Sequence, residues 1–373
     1  MKPVYLGSVK DLYQTADEKL IFLFSDRYSV FDWGEMPDHL VGKGVALTRI
    51  AHLFFDQFRK AEFWQNLSFH PSTLLEEFRL NGAKHHYYFP VLENGEEGNY
   101  KDNIRGLKVE PVQVLRPPYN EAKNEYDYSQ YIKKPQNCLV PLEMIFRFGL
   151  TPGSSIFDRL DNQHYLSELG YSKEQLTTSA HFSSPLLEFS TKLESRDRYL
   201  TYSEAKVISG CDDSEWVRMN ETIELFATGI QYIFSNIGIT LVDGKIEMAF
   251  YQKNSERHFM LVDSIGPDEL RLHFEGHELS KECLRTFYRK DPWFAATKEA
   301  KNIADQQGRR DWKTICREIY PPGPQHLPQE LKTAIEMLYR TIARELYLKY
   351  YATDIDPSAW DLKKLTKQLK GMM

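Results

Sequence analysis

The sequence lacks the features that mark membrane and secreted proteins. No apolar run among its 373 residues approaches the roughly 20 residues that a bilayer-spanning helix needs. The amino-terminal stretch, MKPVYLGSVKDLYQ, has no apolar core of the kind found in signal peptides. The four cysteines, Cys138, Cys211, Cys283 and Cys316, are widely spaced, which favours free thiols over a disulfide framework or a zinc site. We therefore expect a cytoplasmic protein without a membrane partner.

The sequence also lacks an excess of positive charge. It has 47 lysines and arginines against 53 aspartates and glutamates, a net charge of -6. Proteins that bind nucleic acid usually carry a strongly basic face, so we expect no nucleic-acid partner. A hydrophobic content of 42% and a charged content of 27% are typical of a globular protein. The length indicates one large domain or two closely associated domains.

Charged side chains alternate along the stretch 238–272, which reads as a β-hairpin with its loop at Lys253–Glu256. Asp243, Lys245 and Glu247 recur at every second position, so they project from one face of a strand. The hairpin would bring Asp263 beside Glu247. Two carboxylates and a lysine suit a divalent cation and a phosphate group. A charged, solvent-facing hairpin explains the same pattern, and these residues alone leave both interpretations open.

Periodicity predicts the other elements of the chain. Apolar residues at helical spacing predict helices over 47–60, 214–237, 279–289 and 328–351. Strands are predicted over 4–14 and 19–25 and in the region 69–118. Within 140–156 a strand that carries Glu143 and Arg147 is predicted to run into a turn at Gly153-Ser154, whereas 291–326 is expected to be irregular. We predict a β-rich lobe over residues 1–117, an insertion or linker over 118–137, and an α+β lobe over 138–373.

Taken in order, the charged motifs resemble those of the SAICAR synthetase (phosphoribosylaminoimidazole-succinocarboxamide synthase) family. The resemblance is collinear over nearly the whole chain. The matching segments are Gly7–Tyr13, Asp26–Asp32, Lys43–Thr48, Pro141–Glu143 with Arg147 and Gly153-Ser154, Ser190–Glu194, Leu241–Glu247, Asp263–Arg271, Lys281 with Arg285, and Pro328–Leu331.

The resemblance implies an α+β fold of two lobes, a small antiparallel β-rich lobe that covers ATP and a larger α+β lobe. It also implies an ATP- and Mg²⁺-dependent ligase of purine biosynthesis. Such an enzyme joins the carboxylate of a phosphoribosyl-aminoimidazole nucleotide to the amine of aspartate through an acyl phosphate. Its partners would be these small molecules, and the sequence does not predict an oligomeric state.

The resemblance also assigns roles to individual residues. Asp243, Lys245 and Arg271 would be catalytic, and Glu247 and Asp263 would hold Mg²⁺. The residues implied to bind ATP are Gly7, Lys10, Lys43, Lys245 and Glu247. Those implied to bind the substrates are Arg147, Ser154, Lys192, Asp197, Arg271, Lys281 and Arg285.

Several positions depart from the family pattern and keep two alternatives open. Arg196 and Arg198 stand where the family has His and Glu, which favours a related ligase for a different carboxylate and amine. Ser8 replaces a lysine and Ser264 replaces a glutamate, which favours a nucleotide-binding protein without catalysis. Gly244 stands where the family usually has Thr or Phe.

Overall fold

The computed structural model describes residues 1–372 and contains two compact units, each made of separate stretches of the chain. Unit 1 comprises residues 1–53, 88–109 and 273–373, and unit 2 comprises residues 54–87 and 110–272. Both contain helices and antiparallel strands, so the predicted α+β class is confirmed. The predicted lobe boundaries at residues 117 and 137 stay a prediction. Within residues 1–372, every helix is too short or too polar to cross a membrane.

The elements are labelled in chain order. The strands are β1 Lys2–Leu6, β2 Lys10–Gln14, β3 Leu20–Phe24, β4 Tyr87–Val91, β5 Gly106–Val109, β6 Tyr119–Asn120, β7 Glu125–Tyr126, β8 Cys138–Leu139, β9 Leu142–Gly149, β10 His181–Thr191, β11 Tyr199–Leu200, β12 Thr240–Lys253, β13 Glu256–Val262, β14 Leu270–Phe274 and β15 His277–Glu278. The helices are α1 Lys43–Phe58, α2 Ala61–Gln65, α3 Thr73–Asn81, α4 Ser129–Ile132, α5 Gln163–Leu169, α6 Tyr202–Ser209, α7 Asp213–Ser235, α8 Glu282–Tyr288, α9 Pro292–Gln306, α10 Trp312–Ile319, α11 Gln329–Tyr351 and α12 Leu362–Lys370.

Unit 1 contains a five-stranded sheet in the order β1-β2-β3-β5-β4. The single strand predicted over residues 4–14 is wrong, because the chain turns back between β1 and β2. At this turn Gly7 N–H donates to the Lys10 carbonyl at 3.2 Å. A Cβ atom at Gly7 would lie 2.5 Å from the same oxygen, so the turn requires glycine.

The prediction of irregular structure over 291–326 is also wrong, because this region of unit 1 forms α9 and α10. Asp291 caps α9 by accepting a hydrogen bond from Trp293 N–H at 2.9 Å, and Pro292 occupies the first turn. The two helices bury an aromatic cluster in which the Trp33 ring lies 5.3 Å from Trp293 and 6.0 Å from Trp312. These contacts with Trp33 stabilise both helices. In α10 the apolar residues Trp312, Ile315, Cys316 and Ile319 also recur at helical spacing, so the sequence itself indicates this helix.

Unit 2 is built on a sheet in which β11, β10, β9, β12 and β14 lie side by side, with β8 and β13 also paired to β12. The predicted hairpin is confirmed: β12 and β13 pair from Glu247–Val262 to Lys253–Glu256. Its two loop residues, Asn254 and Ser255, have φ values of 50° and 67°, as expected for a tight hairpin turn.

Helix α7 packs against the sheet of unit 2 and confirms the helix predicted over 214–237. Aromatic rings fill the space beside it, and Trp64 lies between Phe58, Phe78 and Phe226.

The region 69–118, predicted as strands, contains α3, so that prediction is wrong for residues 73–81. Ser72 caps α3 by accepting a hydrogen bond from Leu75 N–H at 3.0 Å.

The packing around β12 explains why glycine occupies position 244. A Cβ atom there would lie 2.4 Å from Leu270 Cδ2 and 2.8 Å from Phe146 Cζ. The two larger side chains fill the volume that a Thr or Phe side chain would need.

We predict that Gly244→Thr lowers the free energy of unfolding by about 1–3 kcal/mol, because it overpacks this part of the core. Leu270→Ala should reduce that cost, so the double variant should be more stable than the sum of the single effects predicts. Urea unfolding of the four proteins measures this coupling. Wild-type stability in the Gly244→Thr variant would contradict the packing argument.

Candidate active site

Polar side chains cover one face of three neighbouring strands in unit 2. Because side chains alternate along a strand, residues at every second position share a face. The face carries Glu143 and Arg147 from β9, Glu188 and Ser190 from β10, and Asp243, Lys245 and Glu247 from β12. Asp243 lies directly opposite Arg147, and Lys245 lies opposite Ile145. The strand register therefore brings together charges that are up to about a hundred residues apart in the sequence.

Glu188 is the most deeply buried charge on this face. Its carboxylate is fully buried and accepts hydrogen bonds from Arg147, Arg159 and the Tyr165 hydroxyl. Burial alone would raise the pKa of Glu188, but the guanidinium groups of Arg147 and Arg159 outweigh burial and hold the pKa below its usual value. Glu188 therefore stays ionised at neutral pH.

Arg147 connects Glu188 to Asp243. Its Nη1 donates to Asp243 Oδ2 at 3.0 Å and its Nη2 donates to Ser155 Oγ at 3.2 Å, while its Nε donates to Glu188. The side chain of Arg147 is only 4% exposed. In this structure all of its guanidinium nitrogens donate to protein groups, so Arg147 fixes the orientation of Asp243.

Arg271 approaches the same carboxylate from β14. Its Nη1 lies 2.6 Å from Asp243 Oδ2 and 3.3 Å from Ser154 Oγ. Ser154 is buried and also accepts a hydrogen bond from Thr151 N–H at 3.0 Å. Three residues that the sequence resemblance assigned to catalysis or to substrate binding are thus in direct contact.

A second group of charges lies further along β12. Lys245 Nζ is 2.6 Å from Glu143 Oε1, and Lys192 Nζ lies 3.3 Å from Glu143 Oε1 and 2.6 Å from Glu247 Oε1. Burial would raise the pKa of Glu143, but the nearby ammonium groups of Lys245 and Lys192 lower it overall. Burial would likewise lower the pKa of Lys192, yet Glu247 and Glu143 raise it. Glu143, Lys192 and Lys245 therefore remain charged at neutral pH.

Asp263 follows the last residue of β13, and its neighbour Val262 pairs with Glu247. Its φ of 65° is a left-handed conformation that non-glycine residues adopt rarely and often at functional sites. The carbonyl of Asp263 lies 3.0 Å from His86 Nε2, which holds this backbone in place. Among residues 1–372, no cluster of three or more metal-ligating side chains is present.

Several residues assigned to ATP or substrate binding lie in unit 1. Lys10 Nζ lies 4.8 Å from the centre of the Phe22 ring. Lys43 is fully buried, with Nζ 5.2 Å from the centre of the Tyr339 ring. Lys281 is the residue before α8, and Arg285 Nη1 lies 3.1 Å from Glu282 Oε2. The binding roles of these residues and of Gly7 stay predictions.

The loop between β10 and β11 carries the two arginines that depart from the family pattern. Arg198 lies 3.4 Å from Glu194 and 3.4 Å from Glu204. Asp197, a candidate substrate ligand, is exposed beside it. The charge of Arg198 is therefore partly compensated within the protein.

The sequence motifs gave no role in the site to Glu188 or His86. Glu188 interrupts an otherwise apolar segment, PLLEFS, and a lone carboxylate inside a strand is a signal that a buried ion pair is present. Its partner could not be identified without the register of β9 and β10. His86 had no such signal, because its contact with Asp263 depends on the bridge between His85 and Leu261.

The sequence matches the family SAICAR synthetase over residues 3–300. The chain belongs to the SAICAR synthetase family. A candidate phosphoribosylaminoimidazole-succinocarboxamide synthase from Archaeoglobus fulgidus is 34% identical over 99% of this chain and 100% of its own length. The phosphoribosylaminoimidazole-succinocarboxamide synthase of Thermoplasma acidophilum is 26% identical over 92% of this chain and 97% of its own length.

Solved structures of SAICAR synthetases share the fold. The Saccharomyces cerevisiae SAICAR synthase in complex with SAICAR superposes with a TM-score of 0.54 and 19% identity, covering 95% of this chain and 96% of its own. A SAICAR synthetase in complex with ADP gives a TM-score of 0.50 and 21% identity, covering 87% and 100% of the two chains.

We predict that Glu188→Gln lowers the free energy of unfolding at pH 7 by about 3–5 kcal/mol, because the buried Arg147 and the partly buried Arg159 lose their shared carboxylate. The lowered pKa of Glu188 means that its contribution is fully present above about pH 4.3 and is lost as the pH falls further. The difference between the two proteins should therefore shrink below that pH. Urea unfolding between pH 7 and acidic pH measures it.

Glu121→Gln is the matched control for this substitution, because the Glu121 side chain is exposed. The free energy of unfolding of this variant should stay within about 0.5 kcal/mol of the wild-type value. A Glu188→Gln protein as stable as wild type at pH 7 would mean that the buried carboxylate contributes nothing.

Proposed function

We propose that this protein is a SAICAR-forming ligase. It uses ATP to join the carboxylate of an aminoimidazole ribonucleotide to the amine of aspartate. The observation that carries the proposal is the convergence of Asp243, Arg271 and Ser154, beside the charge cluster of Lys245 and Glu247. Family membership and the full-length similarity to the Archaeoglobus fulgidus relative support the same activity.

The chemistry requires two displacements. A carboxylate is a poor electrophile, so one of its oxygens first attacks the γ-phosphorus of ATP and ADP leaves. The aspartate amine then attacks the carbonyl carbon of the acyl phosphate, inorganic phosphate leaves, and the nitrogen loses a proton. Both steps build negative charge on phosphoryl oxygens, which lysine and arginine side chains stabilise when they are positioned in advance.

The residues of unit 2 suit these steps. We propose that Arg271 and Ser154 bind the anionic groups of the nucleotide substrate and that Lys245, which is 39% exposed, contacts the transferred phosphoryl group. Asp243 is held by Arg147 and Arg271, and it would accept a hydrogen bond from the aspartate amine. Correct placement of both reactants supplies much of the acceleration, so no covalent enzyme intermediate is needed.

A magnesium ion fits two of the carboxylates. In ATP sites Mg²⁺ commonly binds one or two carboxylates and completes its coordination with phosphates and water. Glu247 and Asp263 offer such a pair at the end of the hairpin, and Lys192 balances the charge of Glu247 at 2.6 Å. When bound, the ion would neutralise charge on the phosphates.

Further residues are proposed to bind ATP and the substrates. Gly7, Lys10 and Lys43 are candidate ATP ligands, and Lys281 and Arg285 are candidate ligands for the substrate phosphate. Lys192 and Asp197, both in unit 2, are further candidate ligands for the substrates. Arg147 acts by orienting Asp243, because its nitrogens are already engaged by protein groups.

The activity is tested by measuring ADP release with each substrate omitted in turn. We expect turnover only when ATP, carboxyaminoimidazole ribonucleotide and aspartate are all present. Turnover with another acid and amine, but not with this pair, would favour the related ligase that Arg196 and Arg198 suggested. Binding of ATP without turnover for any pair would favour a non-catalytic protein.

We predict that Glu247→Ala and Asp263→Ala each lower kcat at least 100-fold, because phosphoryl transfer would lose a metal ligand. Titration of Mg²⁺ against activity, with circular dichroism to check folding, measures the effect. Glu256→Ala on the same hairpin is the matched control, because that side chain is 66% exposed and should not affect the response to Mg²⁺. A double variant that still responds to Mg²⁺ would refute the metal assignment.

A further inference from the structure

A cavity of about 250 Å³ lies within unit 1, between the first turns of α1 and the second half of α11. Its lining includes Gly42, Arg49, Arg340 and Asp356. None of the residues assigned above to ATP, metal or substrate lines it. The volume is below the 300–1,000 Å³ typical of pockets for drug-sized ligands, so it suits a smaller molecule.

Arg49 is half-buried, and its hydrogen bonds within residues 1–372 go to backbone carbonyls and not to a carboxylate. Its Nη1 and Nη2 donate to the carbonyls of Ile355 at 3.4 Å and Asp102 at 3.1 Å. Its Nε is buried and has no hydrogen-bond partner among the same residues. Burial lowers the pKa of Arg49, which means that the surroundings compensate its charge incompletely. A guanidinium that is partly removed from water is more stable when an anion lies close to it.

Arg340 adds a second guanidinium that is held in a fixed orientation. Its Nε and Nη2 donate to the two oxygens of Asp356 at 2.7 and 2.9 Å. These bonds leave Nη1 without a hydrogen bond to any residue from 1 to 372. Both Asp356 oxygens accept from Arg340. Asp356 also raises the pKa of Arg49, but burial outweighs it there, so one carboxylate serves two arginines. The amino-terminal end of α1 adds a partial positive charge to the same cavity.

We propose that this cavity binds a small metabolite that carries a phosphate or carboxylate group. Such an anion would balance Arg49 and accept a hydrogen bond from Arg340. The planar guanidinium group of arginine matches the geometry of both phosphate and carboxylate. An experiment must therefore distinguish a phosphate-bearing ligand from a carboxylate-bearing one.

Isothermal titration calorimetry tests the proposal on the full-length protein saturated with ADP and Mg²⁺, which excludes binding at the ATP site. The probes are inorganic phosphate and ribose 5-phosphate for one chemical class, and succinate for the other. We expect one class to bind. Arg49→Gln and Arg340→Gln should each weaken that binding at least tenfold while leaving ADP affinity unchanged.

Arg344→Gln is the matched control, because Arg344 lies on the same helix, pairs with Asp354 and does not line the cavity. It should bind the probe like wild type. Arg49→Lys provides a second variant if Arg49→Gln does not fold, and its loss of the planar fork should also weaken binding. The proposal would be overturned if binding survives in both glutamine variants. It would also be overturned if no probe binds at a concentration of about 10 mM.

Discussion

The candidate active site depends on a carboxylate that is fully excluded from water. Glu188 is stable there only because Arg147, Arg159 and Tyr165 all donate to it. Arg147 can do so only when β9 lies between β10 and β12 in the observed register, with Arg147 opposite Asp243. A slip of one residue would move the charged face of a strand to the opposite side of the sheet. The buried charge therefore selects the strand register that also assembles the site.

Exposure increases along this polar face, and the increase has a chemical consequence. Arg147 and Glu188 are almost completely buried, Asp243 is 11% exposed, and Lys245 is 39% exposed. The buried end cannot reorganise without breaking several charged hydrogen bonds at once. The exposed end carries the lysine and carboxylates that a phosphorylated ligand would meet. A rigid supporting layer beneath accessible charges is the arrangement that electrostatic catalysis requires.

Local patterns predicted the parts of the structure that depend on local interactions. The hairpin of β12 and β13, the helix α7 and the final long helix α11 all have strong periodicity, and the structure confirms them. The helix α10 was missed although its apolar residues recur at helical spacing. In α9 the buried positions after Trp293 are alanines and a threonine, which give only a weak apolar pattern. Glu188 was missed for a different reason. Its importance comes from a neighbouring strand, and a single sequence does not reveal which strands are neighbours.

The departures from the family pattern have local physical explanations where contacts are visible. Gly244 is accommodated by Leu270 and Phe146, whose side chains occupy the space that a larger residue would fill. Arg198 adds a positive charge, but Glu194 and Glu204 lie close enough to offset much of it. A sequence motif compares residue identities one position at a time. In the folded protein, however, a substitution at one position is accommodated by the residues that contact it. An altered residue whose neighbours compensate for it is therefore weak evidence for altered chemistry, and the same residue without such neighbours would be strong evidence. On this argument Gly244 and Arg198 favour retention of the family's reaction over a change of substrate.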